Sequence, residues 1–409
     1  MAIRYSLLAI LIMASSHTVI IAGAGIGGLV AALSIAQRGF RAAVFETAQR
    51  LEEAGAGIQL SPNASGILIA LGLEPQLRQH VVTPEELRVM NARTGRALAS
   101  APLADFAEKR YGAPYWVIHR ADLQAVLIDA VRADPNIALH LGTRVADFAV
   151  HQNGVTVSTI ASVRTGEERG TALIGADGLW SSLRERLGQP DAPRFARYTA
   201  WRALAPAEAL ASDLRRPAVN LWLGRLAHLV HYPVRGGRLI NIVAIIRDDW
   251  HEPGWTAAGD RAELLARYPA GMWPAPTREL LAVPQSWGKW ALYDRRPFTP
   301  WGNGCVTLLG DAAHPMLPYL AQGAACAIED AAVLARRLAE MPDDPARALR
   351  RYERHRRGRT ARIQRAARRN GWVYHMGGAE AFLRTLALIA MGGRRVLARY
   401  DWLYGWKPV

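Results

Sequence analysis

Three glycines, Gly23, Gly25 and Gly28, separate an apolar run at 18–22 from a small-residue stretch at 25–38 with helical spacing. A second apolar run at 42–45 ends on Glu46. Such a pattern is satisfied by a strand, a tight glycine turn, a helix and a second, parallel strand. The first glycine permits the turn, the second lets backbone approach a pyrophosphate, and the third lets helix and strand pack closely. The helix N-terminus then offers N–H donors and partial positive charge to phosphate. Glu46, 18 residues beyond Gly28, is placed to bind a ribose diol. The pattern predicts an α/β dinucleotide-binding unit without separating FAD from NAD.

Two further loops pair glycine with aspartate. Asp177-Gly178 follows an apolar strand at 171–177, and Gly310-Asp311 follows another at 305–312. A carboxylate at a strand's C-terminal end suits a second hydroxylated stretch of a dinucleotide, and Asp311 is so placed. Just beyond it, Gln322-Gly323-Ala324 leads into a helix. Gly323 lets backbone approach a flat ring, and the helix N-terminus favours negative charge there.

At 409 residues the chain exceeds what one core usually serves. Segments 17–85, 110–190 and 290–345 read as a discontinuous cofactor domain. Segments 86–109 and 191–289, the latter dense in Trp, read as a second domain on a mixed or antiparallel sheet. Within it, 218–248 reads as strand, turn and strand, with Arg235-Gly236-Gly237 turning. Residues 346–409 read as helical.

Residues 1–16 read as an N-terminal extension. Their short apolar run resembles a secretory signal, but it is too short to span a bilayer and a strand begins at once. Cys305 and Cys326 cannot build a disulfide framework, no metal motif occurs, and a reducing cytoplasm is expected. The net charge of +15 is concentrated in 347–370. With only Tyr352 for base stacking and no known module, that stretch argues against nucleic acid. It reads as a solvated helix face that attracts anionic ligands.

Taken in order, these motifs resemble the group A flavoprotein monooxygenases, the family of salicylate hydroxylase and p-hydroxybenzoate hydroxylase, over roughly residues 18–370. The resemblance implies a Rossmann-type FAD-binding domain, NADH or NADPH as reductant, and dioxygen as co-substrate, through a flavin C4a-hydroperoxide. It also implies roles for residues. Gly23, Gly25, Gly28 and Glu46 match the FAD fingerprint. Asp177-Gly178 matches a motif serving both FAD and NAD(P)H, and Gly310-Asp311 one that contacts the ribityl chain. Arg120 in "HRADL" matches an arginine near the FAD phosphates and ribityl. The segment "HPMLPYLAQGAACAIEDA" is similar to the salicylate hydroxylase, 3-hydroxybenzoate 6-hydroxylase and 6-hydroxynicotinate 3-monooxygenase branch. His228 and Tyr232 match a pair that faces the substrate there.

At strand spacing, His228, Val230 and Tyr232 share one face and His231 points away. His228 is therefore the better general base, since ionising a phenol makes its ring more nucleophilic. Tyr232 is expected to donate to the substrate carboxylate or phenol. The implied reaction is hydroxylation of a small hydroxylated aromatic acid, salicylate- or hydroxybenzoate-like, with hydroxynicotinate as an alternative. A flavin oxidoreductase that inserts no oxygen is a second alternative. One departure weakens the 3-hydroxybenzoate assignment, because Leu317 and Pro318 offer no hydrogen-bond donor. His314 reads as lining the flavin or closing a turn, Arg202 as reaching the flavin edge or a carboxylate, or as a surface ion pair, and Cys326 as an inert buried thiol. Neither nucleic acid nor membrane is an expected partner, and the protein is expected as monomer or homodimer.

Overall fold

In the computed structural model, residues 17–51, 56–162, 164–188, 191–252, 254, 257–298 and 300–408 are described. The expected extension at 1–16 and Trp255 lie outside the described residues. Five short apolar runs form one parallel sheet, in the spatial order Val306–Leu308, Ala172–Gly175, Thr18–Ala22, Arg41–Phe45 and Ile137–His140. The three central strands are buried along nearly their whole length, as a parallel sheet covered on both faces requires. One cover is the helix Ile26–Ala36, buried at Leu29, Val30, Ala31, Ala32 and Ile35. It can lie close to the helix Gly323–Glu340 because a Cβ on Gly27 would fall 2.8 Å from Leu309 and 3.0 Å from Ala327.

A second, eight-stranded sheet forms the opposite wall. Its order is Ala257–Gly259, Trp287–Asp294, Arg194–Pro206, Leu239–Arg247, Ala227–Val234, Ala218–Gly224, Glu86–Asn91 and Ala97–Pro102. All neighbours are antiparallel except Ala218–Gly224 with Glu86–Asn91, so the sheet is mixed. The segment 218–248 holds three strands where two were expected. The extra reversal is a two-residue turn at Arg225-Leu226, with Leu226 at φ 58°. A left-handed position filled by leucine carries no glycine signal in the sequence.

The chain ends in helices. Pro345–Tyr374 begins with Pro at its first position and an Asp344 carboxylate that accepts from the Arg347 N–H at 3.0 Å. Gly378–Ala398 follows and kinks at Gly392, φ 67° and ψ 162°. The kink brings it against the edge strand Ala97–Pro102, where a Cβ on Gly393 would overlap the Ser100 carbonyl. That edge is thereby covered. The basic helix is not simply a solvated face. Arg356 is fully buried between Glu329 and Asp330, and Arg359 and Arg368 pair with Glu329 and Asp294. The compensating acids sit on other elements, out of reach of a reading along the helix alone.

Candidate active site

The three glycines of the first turn do three different things. Gly23 holds φ 109°, and a Cβ there would fall 2.4 Å from the Ala176 carbonyl oxygen. At Gly28 a Cβ would lie 1.9 Å from the Gly23 oxygen. Gly25, by contrast, has open space before it and stands at the N-cap of Ile26–Ala36. Two glycines are needed for packing, and the third leaves room for a ligand's phosphate. Glu46 braces the turn, its carboxylate accepting from the Ala24 N–H at 2.8 Å and the Ala48 N–H at 2.9 Å.

Asp177 lies beside this turn, since the position a Gly23 Cβ would take is 3.1 Å from the Asp177 nitrogen. One carboxylate oxygen accepts from the Leu183 N–H at 3.2 Å; the other is buried with no partner among the described residues. Burial pushes its pKa up. Gly178 follows at φ 77°.

The Gly310 loop and the Gln322 turn meet. A Cβ on Gly323 would lie 3.9 Å from Asp311 Oδ1. Burial raises the Asp311 pKa, while His314 and Arg120 draw it down, so Arg120 shares the site electrostatically. Arg120 begins the helix Arg120–Ala133, and its N–H donates to the Ala56 carbonyl at 2.8 Å. Gly310, at φ 63°, donates its N–H to Asp330 at 3.0 Å. The same carboxylate oxygen lies 2.5 Å from His314 Nε2, and Arg356 holds the other oxygen at 2.6 Å. Arg356 also reaches Glu329, which accepts from Asn63 at 2.6 Å. Asn63 bonds Gln322 at 3.0 Å, and Gln322 donates to Ser61 at 2.8 Å. Asn63, Glu329, Asp330 and Arg356 were not singled out from sequence. The trace of Glu329 and Asp330 was an unremarkable "IEDA" at helical spacing from the turn. Ala324 lies in the first turn of Gly323–Glu340, partly exposed.

A cavity of about 640 Å³ adjoins this turn, between the eight-stranded sheet and the C-terminal helices. Ala321 and Tyr319 line it from the loop, Leu221, Leu223 and Val230 from the sheet, and Tyr374 from the long helix. His228 lines it too, buried, with Nδ1 2.8 Å from His375 Nε2. Burial and the neighbouring His375 hold the His228 pKa well below the usual histidine range. His231 points to the other side of the sheet, where Trp222 donates to it at 3.1 Å.

Tyr232 is not brought to the cavity. Its ring closes over Gly57, where a Cβ would fall 2.6 Å from Cε2 and 2.7 Å from Asn241 Cγ. Arg202, half-buried on the sheet, stacks on Trp290 at 3.6 Å. Leu317 and Cys326 are buried, the latter with its thiol pKa raised by burial.

The site suits FAD in particular respects: the open face at Gly25, the unpartnered Asp177 oxygen, and a desolvated Asp311 beside Gly323. These belong to the class of flavin-dependent oxidoreductases. The chain belongs to the FAD binding domain family, whose match covers residues 16–367, and its relatives make it an aromatic-ring monooxygenase. It is 39% identical over 396 residues to 3-hydroxybenzoate 6-hydroxylase 1 of Aquipseudomonas alcaligenes, covering 96% of this chain and 98% of that one. Among solved structures, Klebsiella pneumoniae HpxO with FAD and uric acid superposes at a TM-score of 0.83, with 27% identity over 95% of this chain and 96% of that one. A salicylate hydroxylase substrate complex superposes at 0.80, with 27% identity over 96% of each. Among the described residues, no helix is long and apolar enough to cross a membrane and no metal-binding cluster occurs.

Proposed function

We propose that the protein uses NADH or NADPH and dioxygen to hydroxylate a small hydroxylated aromatic acid, with His228 as general base. One observation carries this reading: a neutral, buried imidazole on the wall of a largely apolar cavity that begins at the Gln322 turn. FAD, when bound, would supply the activated oxygen. Glycines 23, 25 and 28, Glu46, Arg120, Asp177, Gly178, Gly310, Asp311, Gln322, Gly323 and Ala324 would hold it. Apolar walls at Leu221, Leu223 and Val230 exclude water from the ring being oxidised. His228 takes the phenolic proton as oxygen transfer begins, and the electron pair left on oxygen activates the ring.

An acidic substrate fits the cavity's charge. Arg369, Arg384 and Arg399 line it, against Glu380 alone of the acids. Arg384 is buried and donates to the Val373 and Tyr374 carbonyls at 2.8 and 3.0 Å, without a carboxylate partner among the described residues. Both hydroxybenzoate and salicylate enzymes occur among the similar proteins. Tyr232, set over Gly57 and beside the cavity-lining Gln59, is assigned to supporting the cavity wall.

The test is a screen of monohydroxybenzoates and hydroxypyridine carboxylic acids for stimulated NAD(P)H oxidation, with the products identified. One hydroxylated product per dioxygen is expected, and stimulated oxidation that yields only peroxide would refute the reading. His228→Ala should lower hydroxylation by about 10²–10⁴-fold while FAD stays bound.

A further inference from the structure

His375 was not singled out from the sequence, and the residues assigned to cofactor and substrate leave it unused. It follows the last residue of the helix Pro345–Tyr374, yet its ring reaches back to the sheet. Its Nε2 is 2.8 Å from Nδ1 of His228, and both rings are buried. His375 does not line the cavity; it stands behind His228 and stacks on Tyr198 at 4.4 Å and 14°. The pair is enclosed by Tyr319 and Tyr374, with centroids 5.5 and 5.4 Å from His228.

We propose that His375 is a positioning residue for the hydroxylation: it accepts a hydrogen bond from Nδ1–H of His228 and so presents the bare Nε2 of His228 to the substrate hydroxyl. The inference rests on His228 being the base. Two facing imidazole nitrogens share one proton, so its location decides what the cavity meets. With the proton on His228 Nδ1, Nε2 is a lone pair and the ring is a base. With it on His375, Nε2 carries hydrogen and cannot accept the phenolic proton. In the reaction the substrate O–H bond breaks, an N–H bond forms at Nε2, and the electron pair stays on the phenolate. The resulting imidazolium of His228 keeps its Nδ1–H···Nε2 bond to His375.

The surroundings keep the resting pair neutral. Burial and the guanidinium of Arg384 hold the His375 pKa at about 3. Around His228 stand His375, Tyr319 and Tyr374, while Tyr268 donates its hydroxyl to the His228 carbonyl at 3.2 Å. Around His375 stand Tyr198, Tyr319 and Arg384, with Arg225 against Gly377 and Arg247 acting on Tyr198. None of these is a carboxylate that would favour a resting imidazolium.

The first experiment needs no substrate: ¹⁵N spectra of the FAD-loaded protein labelled at histidine, with His228 assigned by its loss in His228→Gln. At pH 7.5 the wild-type His228 should carry its proton on Nδ1; a proton resting on Nε2 overturns the proposal. In His375→Phe, which keeps an aromatic ring on Tyr198, the Nε2–H form should appear and the His228 pKa should fall, because the acceptor that favours its imidazolium is gone. An unchanged tautomer and pKa would also overturn it. With the best monohydroxybenzoate from the screen, His375→Phe should lower kcat about tenfold or more and change KM less than about threefold. The acid limb of kcat should move to lower pH, and His375→Gln, whose amide oxygen can accept from Nδ1–H, should restore most of both. A purely structural role would lower Tm without moving that limb. Full activity in His228→Gln refutes the base assignment itself. Impaired His228→Gln beside unimpaired His375→Phe refutes only the role of His375.

Discussion

The glycine turn at 23–28 and the cavity wall at His228 are built in opposite ways. The turn is local: six residues, backbone approach, and a single carboxylate from the next strand. The cavity wall gathers side chains from strands at 218–234, a loop at 318–321, and the end of a helix more than a hundred residues beyond those strands. Between them lies a third kind of structure, the buried ionic network that joins Gly310 and His314 to Gln322 through Asp330, Arg356, Glu329 and Asn63. Backbone shape can be specified by a short motif, whereas a pocket for a small molecule depends on which distant surfaces the fold brings face to face.

The network offers the largest effect with which to break this contrast. Removing the guanidinium in Arg356→Ala leaves Glu329 and Asp330 buried with less compensation. Such a change costs about 3–5 kcal/mol. The denaturation midpoint should fall accordingly, and FAD should be retained poorly, because Asp330 no longer steadies the Gly310 loop. Undiminished FAD affinity in a destabilised Arg356→Ala would show that turn and network are independent.

Next come the two glycines. Gly28→Ala must displace the Gly23 carbonyl and should cost about 1–3 kcal/mol even without FAD. Gly25→Ala meets open space, so the apoprotein should melt as the wild type does while FAD binding weakens. Calorimetry of apo and loaded forms separates the two. Equal apoprotein losses would contradict the division between packing and ligand glycines.

Acid sensitivity should be smaller and should lie on the cavity side. The folded pKa values of His228 and His375 are lowered by burial, the latter to about 3. Above the unfolded value of about 6.5 both states are neutral and the full stability is present. As the pH falls below it, the unfolded chain takes up protons that the folded chain refuses, so stability declines toward the folded values. Each ring accounts for at most about 1.4 kcal/mol per pH unit. His375→Gln should therefore flatten the decline between pH 6.5 and 4.5 in thermal melts, and an unchanged slope would argue against a buried neutral pair. The smallest effect should come from the exposed Arg197–Asp249 pair, whose loss in Arg197→Gln should change stability by less than about 1 kcal/mol.

Much of the parallel sheet was legible because its strands are continuous apolar runs ending in glycine or acid. The left-handed glycines at 23, 178 and 310 could be located from sequence for the same reason. The three-strand hairpin region was not, because Leu226 turns the chain without glycine. Arg356 was read as solvated because charge along a helix says nothing about which acids will face it. Tyr232 shares a strand face with His228, yet four residues on, that face packs over Gly57 rather than lining the cavity.

Sequence alone determined that a dinucleotide is bound, since a phosphate-binding turn is a property of consecutive backbone positions and glycine is the residue that permits them. The tertiary structure decided the rest: that His228 meets the cavity with His375 at its back, and that a helix rich in arginine carries the ion pairs of the core. Those depend on burial and on partners far apart in the chain. Neither has a local signature, because a side chain's pKa and tautomer are set by what surrounds it in space.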